Sequence, residues 1–154
     1  MQNPLPTRIL IPVDVGNFSR RPFDLGAQLA KLNGAELILL AVVDDTFPYP
    51  DIFSFHSPNE DYYRSIRSRA LSMLQEVVEE APSDLKIEIM VSRGRPARVI
   101  VDVASEEKVD LIIMNTHGTR GLEHAILGSV TDKVLRMAPC PVLAIPMRRK
   151  RVQS

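Results

Sequence analysis

Apolar positions along the chain switch repeatedly between short continuous runs and a spacing of three and four residues, which predicts strands and helices in alternation. Arg8 to Val13 is an apolar run ending at Asp14. Ser19 to Leu32 then sets Phe23, Ala27, Leu29 and Ala30 at helical intervals, and Gly34 stops that helix. Glu36 to Val43 is the most continuous apolar run, as expected of an inner parallel strand covered on both faces. Phe47 to Asn59, with three prolines and four aromatic residues, reads as a long loop. Asp61 to Ala81 predicts a helix with Ile66, Ala70, Leu74, Val77 and Val78 on one side, closed by Pro82. Lys86 to Val91 alternates, as a third strand toward a sheet edge does. Pro96 suits the first turn of a helix through Glu107, with Val99, Ile100, Val103 and Ala104 facing inward. Val109 to Met114 is the fourth strand, Ser129 to Met137 the last helix and Pro141 to Ile145 the fifth strand.

Five strands separated by helices, with no room for hairpins, predict an α/β fold, a doubly wound parallel sheet of the Rossmann-like kind. No internal repeat or second linker interrupts residues 1–154, so a single domain is expected. Ligands of such sheets sit beyond the carboxyl ends of the strands, where the strand order reverses. Asp14 ends the first strand, Val42 and Val43 the second, and Asn115 to Gly118 follow the fourth. If the first and fourth strands are neighbours, these segments converge.

Composition narrows the class. The 154 residues are 45% hydrophobic and 25% charged, near globular averages. No run approaches the roughly 20 apolar residues of a spanning helix, so no membrane is expected as a partner. The start, MQNPLPTR, lacks the apolar core of a signal peptide, and a cytoplasmic chain is expected. A formal net charge of zero removes the broad electrostatic case for nucleic acid. The tail, residues 147–154, carries the basic cluster Arg148, Arg149, Lys150 and Arg151, which reads as a solvated terminus. Cys140 is the sole cysteine, which excludes an internal disulfide, and its place between Pro139 and Pro141 suits a buried, inert thiol.

The candidate chemistry lies in MNTHGTRGLEHAILGSV, from Met114 to Val130. Gly118 lies just past an apolar run. After nine intervening residues Gly128 is followed by Ser129 at the start of an amphipathic run. Phosphate oxygens need several donors at short range, and a helix N-terminus supplies free N–H groups together with the positive end of its dipole. Glycine lets the backbone come that close. The pattern is not a P-loop, because no lysine stands before Ser129, and not a dinucleotide fingerprint, because PVDVGNFSRR has only Gly16. Taken singly, Asp14 is either a ligand to polar nucleotide atoms or a turn-forming Asx residue, Gly118 a cradle or a strand-exit turn, and Ser129 a phosphate ligand or a helix cap. Arg120 is a phosphate contact or a solvated loop residue. His117 and His124 fall in the same loop, and His56 has no visible partner. No serine, histidine and aspartate order and no carboxylate dyad sits credibly here, so an enzyme lacks an identifiable base.

The segments ILIPVD, ELILLAVVD and DLIIMNTHGTRGLEHAILGSVTDKVLRMAPCPVLAIP closely resemble universal stress protein domains over nearly the whole chain, apart from about Phe47 to Ser83. The resemblance implies strand order 3-2-1-4-5, a homodimer through the last strand, and membership of an ATP-binding branch. That branch typically shows Gly, two residues, Gly, nine residues, then Gly followed by Ser or Thr. Gly118, Gly128 and Ser129 match, while Asn115 stands at the first glycine. Asparagine tolerates positive φ, so the turn is expected to survive, with a side chain that could crowd the phosphates. By the same resemblance Asp14 binds adenine or ribose polar atoms, Pro12 and Val13 line the ribose, and Val42 meets the adenine edge. Gly118, Gly128, Ser129 and Val130 hold phosphates, with Met114 and Asn115 at the strand exit and Arg120 in the loop above. ATP is the implied ligand, with Mg²⁺ or Mn²⁺ held chiefly by its phosphates and Asp14 the only protein carboxylate to place near it. The implied function is a nucleotide-dependent regulator in stress response. The alternatives are a nucleotide-free dimeric interaction module and a slow ATP hydrolase.

Overall fold

The computed structural model describes residues 5–45, 58–116 and 127–146. In chain order they form β1 (Arg8–Val13), α1 (Arg21–Asn33), β2 (Glu36–Val43), α2 (Pro58–Glu79), β3 (Lys86–Arg93), α3 (Pro96–Glu106), β4 (Leu111–Asn115), α4 (Ser129–Met137) and β5 (Val142–Ile145). The five strands make one parallel sheet in the order β3-β2-β1-β4-β5. This is the doubly wound topology expected, with its reversal of direction between β1 and β4. No helix among the described residues is long and apolar enough to cross a membrane.

The side-chain period of two divides the core. Ile9, Ile11, Leu37, Leu39 and Ile113 project to one face, against Phe23, Ala27 and Ala30 of α1 and Ala70, Leu74 and Val77 of α2. Leu10, Ile38, Leu40, Ile112 and Met114 project to the other, against Ala97, Ile100, Val103 and Ala104 of α3 and Val134 of α4. Leu37 to Ala41 are wholly enclosed, as a central parallel strand requires. Gly26 lets α1 lie close on β1, since a Cβ there would stand 2.7 Å from Ile11 Cδ1.

Several boundaries differ from those read in the sequence, for local reasons. α1 begins at Arg21 rather than Ser19, which puts Pro22 in its first turn, and it ends at Gly34 in the left-handed region with φ 73°. α2 begins at Pro58, so the last two residues of the expected loop are helical. A proline needs no N–H partner at that position. The rest of that loop, with His56, lies outside the described residues. β3 continues to Arg93 because Ser92 and Arg93 still pair with Val42 and Val43. β4 starts at Leu111, not Val109. α3 closes through a paired turn in which the Val109 N–H donates to Ala104 O at 2.9 Å and the Lys108 N–H to Ser105 O at 3.3 Å. Lys108 takes φ 52° to make it, in the place where helices usually put glycine.

At the amino end of the sheet Asp110 closes the entry to β1. Its Oδ2 accepts from the Thr7 N–H at 2.8 Å and the Thr7 hydroxyl at 2.7 Å, and its Oδ1 from the Arg8 N–H at 3.1 Å. Arg8 donates through Nη1 to the Glu107 carbonyl at 2.9 Å. Its Nη2 lies 3.2 Å from the Glu107 carboxylate and 3.7 Å from that of Glu88. Its Nε is 3.5 Å from the Glu36 carboxylate, close enough for ion pairing but without hydrogen-bond alignment. Cys140, half-buried, has its thiol pushed up first by burial and next by the Asp110 charge, against a lowering backbone hydrogen bond at Ile112. The inert thiol read in the sequence fits this setting.

Candidate functional site

β1 and β4 are neighbours, so their carboxyl ends bring Pro12, Val13 and Asp14 beside Met114 and Asn115. β2 adds Val42 on the other side of β1, and α4 begins directly beyond β4. Val42, Met114 and Val130, nominated from separate parts of the sequence, pack into one cluster on the α3 and α4 face. Val13 packs into the opposite cluster. The apolar side of the site therefore belongs to a single face.

Asp14 makes the turn that follows β1. Its Oδ1 accepts from the Gly16 N–H at 2.9 Å and its carbonyl from the Asn17 N–H at 3.3 Å. The Asx geometry weighed from the sequence is present, and it fixes the carboxylate at the strand end.

The start of α4 corrects two sequence readings. Gly128, not Ser129, is the N-cap residue, and among the described residues no side chain caps the helix. Gly128 has φ −70° and ψ 156°, a conformation open to any residue, so its value is not positive φ. Its N–H donates to the Thr116 carbonyl at 2.6 Å. Its own carbonyl accepts from the Asp132 N–H at 3.0 Å, the first turn of the helix. The N–H groups of Ser129, Val130 and Thr131 have no intrahelical partner, as at any helix start, and they sit at the positive end of the α4 dipole. Ser129 is exposed there.

Asn115 corrects a third. It is the last residue of β4, paired with Ile145, and it is not in a positive-φ turn. Leu111 and Ile113 face α1 and α2 while Ile112 and Met114 face α3 and α4. By that alternation the Asn115 side chain belongs to the α1 face, away from α4. Its Oδ1 is buried without a hydrogen-bond partner, while its carbonyl accepts from the Thr131 hydroxyl at 2.8 Å. Thr131, 2% exposed, and Thr116, 8% exposed, are the buried polar side chains among the described residues. Neither was singled out from the sequence. A threonine two positions after Ser129 reads locally as a helix residue, and only the strand beneath it gives it a role.

Gly118, Arg120, His117 and His124 lie outside the described residues, as does the basic tail, residues 147–154. At the far rim of the same end Arg93 closes β3. It donates to Glu60 at 3.3 Å, lies 3.5 Å from Asp45 and stacks 5.0 Å from the Tyr63 ring centroid. That set anchors the start of α2 rather than adding to the β1 and β4 junction. A shallow depression lined by Glu36 and Ile38 of β2 and by Lys86 and Glu88 of β3 lies at the opposite, amino end, where Arg8 pairs with Glu36 and Glu88.

The model of the universal stress protein family matches residues 6–146. A universal stress protein of Methanocaldococcus jannaschii is 33% identical over 150 residues, covering 93% of this chain and 84% of its own. The solved structure of a second protein from that organism superimposes with a TM-score of 0.79 at 27% identity, covering 94% of this chain and 98% of its own. A universal stress protein family member from Arabidopsis thaliana, solved with AMP bound, has the same fold, with a TM-score of 0.62 at 19% identity and 97% coverage of both chains. With its sheet order, its glycine and serine at the head of α4 and a family match over nearly its whole length, the chain belongs to the universal stress protein family.

Proposed function

We propose that the carboxyl end of this sheet binds an adenine nucleotide, ATP foremost, and that the chain acts as a nucleotide-dependent regulator in stress response. The observation that carries this reading is the uncapped start of α4 over the end of β4. Its amides at Ser129, Val130 and Thr131 offer an anion the donors and the dipole that no side chain among the described residues takes up. Val42, Met114 and Val130 supply an apolar wall on the same face for a base, and Asp14 a fixed carboxylate for hydroxyl or amino donors. Pro12 and Val13 border the ribose, and Gly118 and Arg120 join the phosphates by their place in the motif. The AMP bound by the Arabidopsis relative is in keeping with this chemistry.

A Mg²⁺ or Mn²⁺ ion would be held mainly by the phosphates. Asp14 Oδ1 already accepts a turn hydrogen bond, and Asp132 is paired with Arg136 at 3.1 Å. Neither carboxylate is placed as a base for attacking water, so binding exceeds turnover in this reading. β5 carries exposed Leu143, and α4 carries exposed Leu135 and Met137. These support a homodimer through β5, where a second copy pairs the open strand edge about a two-fold axis.

The test is calorimetric titration of nucleotide-free protein with ATP, AMP and adenosine, with absorbance and chromatography of the untreated preparation for co-purified nucleotide. Binding of ATP supports the reading. A folded protein that takes up none of the three supports instead a nucleotide-free interaction module.

A further inference from the structure

The start of α4 is tied to the end of β4 at two points, and one tie is a side chain. The Gly128 N–H meets the Thr116 carbonyl at 2.6 Å and the Thr131 hydroxyl meets the Asn115 carbonyl at 2.8 Å. A threonine hydroxyl within a helix ordinarily bonds its own backbone one turn back. Here it donates instead to a strand residue 16 positions away, from a side chain that is 2% exposed. Valine would have the same shape without a polar atom to satisfy. Two bonds made by residues three apart fix both the position and the rotation of the first turn, where a single bond would leave it free to pivot.

We propose that Thr131 is the positioning residue of the phosphate cradle. Its hydroxyl holds the first turn of α4 against β4 so that the Ser129 and Val130 amides converge on one anion. This rests on the nucleotide reading above and adds to it the residue that aims the donors. It also accounts for asparagine at position 115 in place of the glycine of the family pattern. What the tie uses there is the backbone carbonyl, which every residue has.

The experiment titrates ATP and adenosine into the wild-type protein and the Thr131→Val and Thr131→Ser variants, each checked by thermal melting. Thr131→Val weakens ATP on the order of tenfold, the effect of one well-placed hydrogen bond, and changes adenosine less than about twofold. Thr131→Ser restores ATP affinity. If the valine variant does not fold, Thr131→Ala, which removes the hydroxyl without new bulk, gives the same comparison. Equal ATP affinity in a folded Thr131→Val, or an equal loss for ATP and adenosine, overturns the inference while leaving the nucleotide reading standing. A wild-type protein that binds neither ligand overturns both.

Discussion

The amino end of the sheet and its carboxyl end handle their polar groups in different ways, although each leaves a buried atom, Arg8 Nε and Asn115 Oδ1 respectively, without a hydrogen bond. At the amino end a single carboxylate, Asp110, takes the Thr7 and Arg8 N–H groups and the Thr7 hydroxyl, while Arg8 is ringed by Glu36, Glu88 and the carbonyl and carboxylate of Glu107. At the carboxyl end α4 begins without a side-chain cap and Asn115 Oδ1 is buried without a donor. An unpaired buried acceptor costs about 1–3 kcal/mol, so the second arrangement is held in place by the rest of the fold. The difference separates two kinds of residue. Those at the amino end bear on stability, and in the proposed function those at the carboxyl end bear on what the protein binds.

The strongest test of that separation is Gly128→Val. Its backbone conformation suits a β-branched residue, so the fold is expected to persist, but a side chain on this buried position obstructs the cradle. Calorimetry should show ATP affinity falling at least about a hundredfold, roughly 2.7 kcal/mol. Unchanged affinity in a folded variant would remove phosphate binding from the start of α4. Ser129→Ala, which keeps every backbone donor, should lose only about 1 kcal/mol.

Asp110→Ala probes the other end. Leaving the Thr7 and Arg8 N–H groups without their acceptor should lower unfolding free energy in urea by about 2–3 kcal/mol, with nucleotide affinity unchanged. A loss of affinity in the folded variant would show that the two ends are coupled after all. Lys108→Gly, beside it in sequence, should act in the reverse sense. It relieves a φ of 52° in a turn that glycine adopts freely, and a gain of about 1 kcal/mol in the same urea assay is expected. The smallest effect concerns Cys140. With its thiol pushed up by burial and then by the Asp110 charge, alkylation at pH 8 should run slower than for an exposed cysteine and accelerate only at higher pH. Asp110→Ala should move that rise to lower pH, since removing a negative charge eases formation of the thiolate.

Much of the frame was legible because it is periodic. The enclosed run Leu37 to Ala41, the helix faces and the order of five strands follow from spacing and from the crossover rule, and the family pattern added strand order. The candidate site was legible in its residue types and not in its bonds. A sequence shows that Gly128 precedes Ser129. It does not show that the Gly128 N–H is engaged by Thr116, nor that Thr131 reaches back to Asn115. The amino-end closure was invisible for a plainer reason: Thr7 and Asp110 are 103 positions apart, and no local pattern joins them. Asn115 was misplaced because a motif is aligned by position, whereas a turn and a strand end differ only in backbone angle.

The unequal length of the pairings has a further consequence. β2 is matched along all eight of its residues by β3 and along six by β1, whereas β5 meets β4 at only four. Backbone amides should therefore exchange with solvent deuterium in a graded order, those of β5 escaping early through partial opening and those of β2 only when the whole chain unfolds. Because the Thr116 N–H is bonded to the carbonyl of Ile145, each such opening also loosens the strand end to which α4 is tied. Protection of β5 that grows as the protein is concentrated would then report a second chain laid along its free edge, and with it a steadier seat for α4.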